Sequence, residues 1–139
     1  MPSVHYFYES IDFKLSKPLL TSRWIKDVIK LERRKLEGLN YIFCSDQYLL
    51  EINKEYLNHN TYTDIITFDN SEEAGLLSGD IFISIERVKE NANQLKSSFI
   101  DELNRVMIHG VLHLIGYKDK SIQEKKLMRK REDAYLSLR

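Results

Sequence analysis

The stretch Asn104-Arg105-Val106-Met107-Ile108-His109-Gly110-Val111-Leu112-His113-Leu114-Ile115-Gly116-Tyr117-Lys118-Asp119 organises the reading of the whole chain. Val106, Met107, Val111, Leu112, Leu114 and Ile115 dominate it and no proline breaks it, the pattern of a helix buried over most of its circumference. Two histidines stand four apart in that helix, so a single turn brings both imidazoles to one face. Gly116 sits where the helix would stop, because glycine accepts the left-handed conformation there. The chain then turns through Tyr117 and Lys118 and delivers a carboxylate, Asp119. Two imidazoles, one carboxylate and an open fourth position make the ligand set of a catalytic zinc. His109, His113 and Asp119 are therefore the expected ligands of one Zn2+ per chain. A lone histidine in an apolar helix is ordinarily a hydrogen-bonded core residue. Two at this spacing, with a third donor close behind, favour a metal, since two unpartnered imidazoles are costly to bury. Gly110 stands where proteases of the H-E-x-x-H type carry their general-base glutamate, so peptidase chemistry by that route is not expected. The pattern assigns no general acid or base.

The segment His109-Gly110-x-Leu112-His113-Leu114-x-Gly116-Tyr117 resembles the signature of the YbeY family, rRNA maturation factors described as single-strand-specific endoribonucleases. Upstream, Thr63-Asp64-Ile65-Ile66-Thr67-Phe68 is similar to the family's T-D-V-L-S-F strand, and Gly79-Asp80-Ile81-Phe82-Ile83-Ser84 to its G-D-I-x-I-S strand. Order and spacing fit from about Leu50 to the C-terminus, while the first forty or so residues add little. The resemblance implies a mixed sheet with the metal helix central. It also implies a zinc-dependent endoribonuclease of rRNA processing and ribosome maturation, with RNA and ribosomal particles as partners. Two positions depart from the pattern. Asp119 stands where the family usually has a third histidine, and aspartate ligates zinc through oxygen. Leu57 stands where the family tends to carry an arginine implicated in its ribonuclease activity, and leucine cannot hold a phosphate.

A length of 139 residues predicts one domain, 1–139, large enough to bury a core without staples. Hydrophobic residues make up 42% and charged residues 30%, as in a globular domain. Lys+Arg and Asp+Glu both number 21, so generic charge-driven nucleic-acid binding is not expected, although a local basic face is compatible with the balance. Cys44 is the only cysteine, which excludes an intrachain disulfide and a cysteine-rich zinc site and suits a reducing cytosol. Met1-Pro2-Ser3-Val4-His5-Tyr6 lacks the basic and apolar regions of a secretory signal, and no apolar run approaches the ~20 residues of a membrane span. The expected location is the cytoplasm, with no membrane contact.

In chain order, Val4–Tyr8 suits a strand, and Ile11–Phe13 a short extended piece. His5 is expected at a surface or edge position. A helix opens at Pro18 after Lys17, or slightly later with Thr21 or Ser22 as its cap, and carries Trp24, Ile25, Val28, Ile29 and Leu31 as a core stripe. The run Glu32-Arg33-Arg34-Lys35 closes it, with Gly38 as its stop. Leu39–Cys44 reads as a strand in which the thiol packs as a small hydrophobe. Asp46 is the expected cap of a helix running to the turn at Leu57-Asn58-His59-Asn60, where His59 is read as a solvated loop residue. Strands follow at Thr63–Asp69 and Gly79–Ser84, joined by the acidic loop Ser71–Gly75. Ser84 and Ser98 open the next two helices, and Ser121-Ile122-Gln123-Glu124 is a capping box for the last.

Mixed rather than alternating strand and helix signals predict an α+β fold: a small mixed sheet of about four strands packed with helices, the metal-binding helix central. Two further features bear on chemistry. Arg105, one turn before His109, is read as pairing with Glu102 on a solvated face. Between Lys120 and Arg131 stand Lys120, Lys125, Lys126, Arg129, Lys130 and Arg131 against Glu124 alone, a face able to hold RNA phosphates. Three functions fit: the zinc endoribonuclease, a ribosome-associated assembly factor with a structural or weakly catalytic metal, and a metallohydrolase of peptides or small esters.

Overall fold

The computed structural model describes residues 3–139. Its elements run β1 (Ser3–Glu9), α1 (Pro18–Leu31), β2 (Lys35–Cys44), α2 (Asp46–Leu57), β3 (Ile65–Asp69), β4 (Leu76–Ser84), α3 (Ile85–Leu95), α4 (Phe99–Ile115) and α5 (Ile122–Leu136). The four strands form one sheet in the order β1-β2-β4-β3. β1 and β4 flank β2 in parallel, and β3 pairs antiparallel with β4, as the short connection through Gly75 demands. The fold is α+β with a mixed sheet, as expected.

Alternation along the strands sorts the side chains between two faces. Leu39, Tyr41 and Phe43 of β2 and Leu77, Ile81 and Ile83 of β4 point to the face that α4 covers, forming the larger apolar core with Met107, Ile108, Val111 and Leu112. On the other face, α2 closes a smaller cluster of Cys44, Leu49 and Ile66 with Phe68 and Phe82. Because α1, α3 and α5 also pack on α4, that helix is buried on nearly all sides, which its apolar composition required. Among the described residues no helix is long and apolar enough to cross a membrane.

Several boundaries differ from expectation. Pro18 does open α1, after Lys17 in a left-handed conformation (φ 51°) without a side-chain cap, so Thr21 and Ser22 lie inside the helix. The helix ends at Leu31, and the chain reverses through Arg33 at φ 58°. Gly38 is no stop: it lies inside β2, at a register shift between Leu36 and Gly38 against β4. Ile11–Phe13 forms no strand, and Phe13 turns inward, its ring 5.4 Å from Phe43 and 5.9 Å from Phe99. Ser45, one residue before Asp46, caps α2 by accepting from the Tyr48 amide at 3.1 Å. Asp46 instead accepts from Arg87 and from the Ser84 hydroxyl. Ser84, Ser98 and the Ser121–Glu124 capping box stand as read.

Candidate metal centre

Positions 102, 105, 109 and 113 follow helical spacing, so Glu102, Arg105, His109 and His113 share one face of α4. The helix ends at Gly116 with φ +124°, and the Gly116 and Tyr117 amides both bond the Leu112 carbonyl, at 3.1 and 3.0 Å. A residue with a Cβ would be strained there. This tight stop turns the chain back on the helix and brings Asp119 over the histidines. Asp119 Oδ2 lies 3.3 Å from His109 Nε2, and Oδ1 lies 3.4 Å from His113 Nε2. One ligand atom from each of the three residues falls within 4.8 Å of the others, the one such group of three among the described residues.

Both separations are longer than a hydrogen bond, and the three donors gather within a span that an ion could bridge. An N–H···O bond closes to 2.7–3.2 Å. Donors around a tetrahedral ion with bonds of 2.0–2.1 Å stand roughly 3.4 Å apart. His109 satisfies a further requirement: its other nitrogen, Nδ1, donates to Glu132 Oε2 at 2.7 Å. Holding the proton on Nδ1 leaves the Nε2 lone pair free toward the cluster, the arrangement that orients a ligating imidazole. Side-chain exposure rises from 21% for His109 to 39% for His113 and 38% for Asp119, so the open side of the group faces solvent.

His109 and Asp119 line a cleft of about 490 Å³ together with Ile65, Val106 and Met128, the acids Asp64 and Glu102, and the cations Lys125 and Arg129. Burial works to lower the His109 pKa, but the hydrogen bond and charge of Glu132, with Asp119 and Asp64 beyond, outweigh it and hold the imidazole above its ordinary value. Burial likewise raises Asp64, against the counter-pull of His109, and raises Glu102, helped by the nearby charge of Asp64. The site is thus an acid-rich pocket around a basic imidazole, a setting that suits a dication.

The three predicted ligands are brought together. Arg105 is not on a solvated face with Glu102: it donates to Glu132 at 2.9 Å and to Asp133 at 2.7 Å, because α5 lays those two carboxylates across α4. Of the basic run, Lys125 and Arg129 reach the cleft, and Arg131 stacks on Tyr117 at 5.9 Å. Leu57 ends α2 at 42% exposure and takes no part in the cleft wall. His5 and His59 are exposed, His5 bonding Ser3 Oγ at 2.7 Å, and neither approaches the metal group. Burial pushes the Cys44 thiol up to about 12, so it packs as an inert apolar group. Glu132 is the residue that sequence reasoning missed. Its signal was present: Met128, Glu132 and Tyr135 are the buried positions of α5, a glutamate where the helical stripe calls for an apolar residue.

Comparison with known proteins extends the resemblance over almost the whole chain. The sequence profile described as endoribonuclease YbeY matches residues 9–138, so the match reaches back through α1 and β2 into the region where the motifs were silent. A Cytophaga hutchinsonii protein named endoribonuclease YbeY is 52% identical over 99% of this chain and 96% of its own length. A Karelsulcia muelleri protein of the same name is 55% identical over 96% of this chain and 93% of its own. The solution structure of a Thermotoga maritima protein superposes with a TM-score of 0.67 at 28% identity, covering 95% of this chain and 87% of that one. Similarity of this depth, running unbroken through the strands, the histidine helix and the helix that carries Glu132, means that the chain belongs to the YbeY endoribonuclease family.

Proposed function

We propose that this protein is a zinc-dependent, single-strand-specific endoribonuclease of rRNA processing and ribosome maturation. In this reading it works in the cytoplasm on RNA and ribosomal particles, with residues 1–139 acting as one catalytic domain. Family membership makes the chain a hydrolase of the nuclease type. The observation that carries the finer reading is the convergence of His109, His113 and Asp119, with His109 and Asp119 lining a cleft that Lys125 and Arg129 also line.

Two imidazoles and one carboxylate suit zinc better than magnesium or calcium, which favour all-oxygen sites. Zinc, when bound, would supply Lewis acidity and an acidified water for attack on phosphorus. The chain's own residues do the rest. Glu132 keeps the His109 proton on Nδ1 and the ring in place. Arg105, pinned between Glu132 and Asp133, braces that glutamate. Lys125 and Arg129 offer positive charge to a phosphate entering the cleft. Leu57 favours a second reading, an assembly factor whose metal is structural or weakly catalytic, because the α2 terminus brings no cation to the substrate.

Elemental mass spectrometry of the purified protein, followed by an RNA-cleavage assay, tests the proposal. The expected result is near one zinc per chain, lost in His109→Ala/His113→Ala and reduced in Asp119→Ala. Zinc-loaded protein should cut single-stranded but not duplex RNA, and a chelator should stop it. No metal even after incubation with zinc would retire both hydrolase readings. RNA binding without cleavage by the zinc-loaded protein would favour the assembly factor.

A further inference from the structure

One polar group in the cleft is left free by the site's own contacts. Glu102 is only 7% exposed and lines the cleft, yet among the described residues its carboxylate makes no hydrogen bond and no ion pair. An acid in the first turn of a helix is ordinarily explained by the macrodipole, and its neighbour Asp101 fits that explanation by standing in solvent. Glu102 does not. It is carried inward on the same face as His109, and its carboxylate oxygens make no hydrogen bond yet keep contact with solvent, so they are open to a ligand rather than sealed in. The cations that could satisfy it are directed elsewhere: Arg105 to Glu132 and Asp133, and Arg129 toward Glu132 at 4.0 Å.

The surroundings of Glu102 describe what would complete it. Ile65, Val106 and Met128 give the cleft apolar walls that suit the face of a flat ring. Lys125 and Arg129 suit a phosphate, and a carboxylate with both oxygens free accepts two parallel N–H donors. Guanine is the common base whose Watson–Crick edge presents two adjacent N–H groups, N1–H and the 2-amino group. Adenine and cytosine set a ring lone pair beside their amino group, and uracil sets its single N–H between two carbonyls. Glu102 precedes His109 by two helical turns, about 10 Å along the axis, a span that one nucleotide bridges with its phosphate at the metal end. We propose that Glu102 is a specificity-determining residue that accepts the N1–H and 2-amino hydrogens of an unstacked guanine beside the scissile phosphate. The proposal rests on the RNA-cleaving reading above and names the base that this reading leaves open.

The test measures binding of guanosine, adenosine, cytidine and uridine 5′-monophosphates to the full-length protein by calorimetry and NMR shifts, in wild type, Glu102→Gln and Glu102→Asp. Cleavage sites on single-stranded RNA are mapped alongside. The wild type should bind the guanosine nucleotide at least ~10-fold tighter than the others, as expected for a bidentate base contact. Glu102→Gln should erase that preference with unchanged metal content, because its amide opposes a donor to a donor, and Glu102→Asp should weaken it by shortening the reach. Cleavage should fall beside guanine in the wild type and lose that bias in Glu102→Gln. Equal binding of the four nucleotides, preference for another base, or a guanine preference that survives Glu102→Gln overturns the proposal. Selective guanosine binding without RNA cleavage would sink the nuclease reading and leave the pocket standing; cleavage without base preference would do the reverse.

Discussion

Glu132 meets two demands with one carboxylate: Oε2 accepts the His109 Nδ1 proton at 2.7 Å, and Oε1 accepts from Arg105 at 2.9 Å. Buried among these partners, it orients the imidazole whose Nε2 faces Asp119 at the proposed metal position. Outer partners of this kind typically set metal affinity by 10–100-fold. Glu132→Ala should therefore weaken zinc binding by ~10- to 100-fold in a chelator-competition titration, with the three proposed ligands untouched. Glu132→Gln should fall between, since its carbonyl still accepts one bond but carries no charge. Unchanged affinity in Glu132→Ala would reduce Glu132 to a partner of Arg105 alone. The ligands were legible because their spacing is local: four residues along a helix, then a glycine and a short turn. Glu132 was not, because it meets His109 across 23 positions and its burial is set by how α5 docks.

At the scale of elements, α4 packs on the sheet with no room for a Cβ at two glycines. A Cβ on Gly110 would meet Ile65 Cδ1 at 2.9 Å and Ile81 at 3.0 Å; one on Gly79 would meet the Phe68 carbonyl oxygen at 2.7 Å and Leu114 Cδ1 at 2.9 Å. Gly110 thus replaces the protease-type glutamate for a packing reason, since a longer side chain there would drive the histidine helix off β3 and β4. The two sites should respond differently. At Gly110 the obstacles are side chains, and alanine recovers about 1 kcal/mol of helix propensity against an overpacking cost of about 1–3 kcal/mol. Gly110→Ala should accordingly destabilise by no more than ~2 kcal/mol. Gly79→Ala gains a similar backbone term but meets the Phe68 carbonyl oxygen, which cannot swing aside as a side chain can, so it should cost the larger amount. Thermal denaturation of both variants checks the order, and a greater loss at Gly110 would contradict it. The same contrast explains what could be read of the elements. Serine caps announced α3, α4 and α5 because each acts within three residues of itself. The end of α1 was obscured because Arg33 takes the left-handed position while the nearby Gly38 serves a strand irregularity. At α2, two cap-competent residues stood side by side, and the choice fell to Ser45 because Asp46 is drawn to Arg87 on α3.

Across the whole molecule, the C-terminal helix is tied back to the first by contacts that no local pattern announces. Glu32, just past α1, accepts from Tyr117 Oη at 2.8 Å and from Tyr135 Oη. Trp24 Nε1 donates to the Tyr135 carbonyl, Arg34 to the Ile115 carbonyl and Arg139 to Thr21, each at 2.9 Å. These partners lie 81 to 118 positions apart. Those of Trp24, Tyr135 and Arg139 form only when the C-terminal helix has docked, while Arg34 and Tyr117 tie down the end of α4 and the turn after it. Because Tyr117 precedes Asp119 by two residues, the same ties steady the turn that supplies the third proposed ligand. Tyr135 offers a direct probe of the closure. Burial, then the hydrogen bond and charge of Glu32, push its hydroxyl from 10.0 up to about 12. The folded protein therefore keeps a proton that the unfolded chain has released between those values, and stability falls as pH rises through the window. Below pH 10 the contribution is fully present. Tyr135→Phe should lose about 1.5–3 kcal/mol at neutral pH, the worth of a hydrogen bond to a charged acceptor. Its stability should then decline less steeply than the wild type's above pH 10, although Tyr117, also raised by burial and Glu32, keeps some slope. Urea midpoints measured on both sides of pH 10 decide it. Curves that run parallel would mean that the Tyr135 hydroxyl titrates alike in the folded and unfolded chain, and that Glu32 holds α5 to α1 without drawing on that proton.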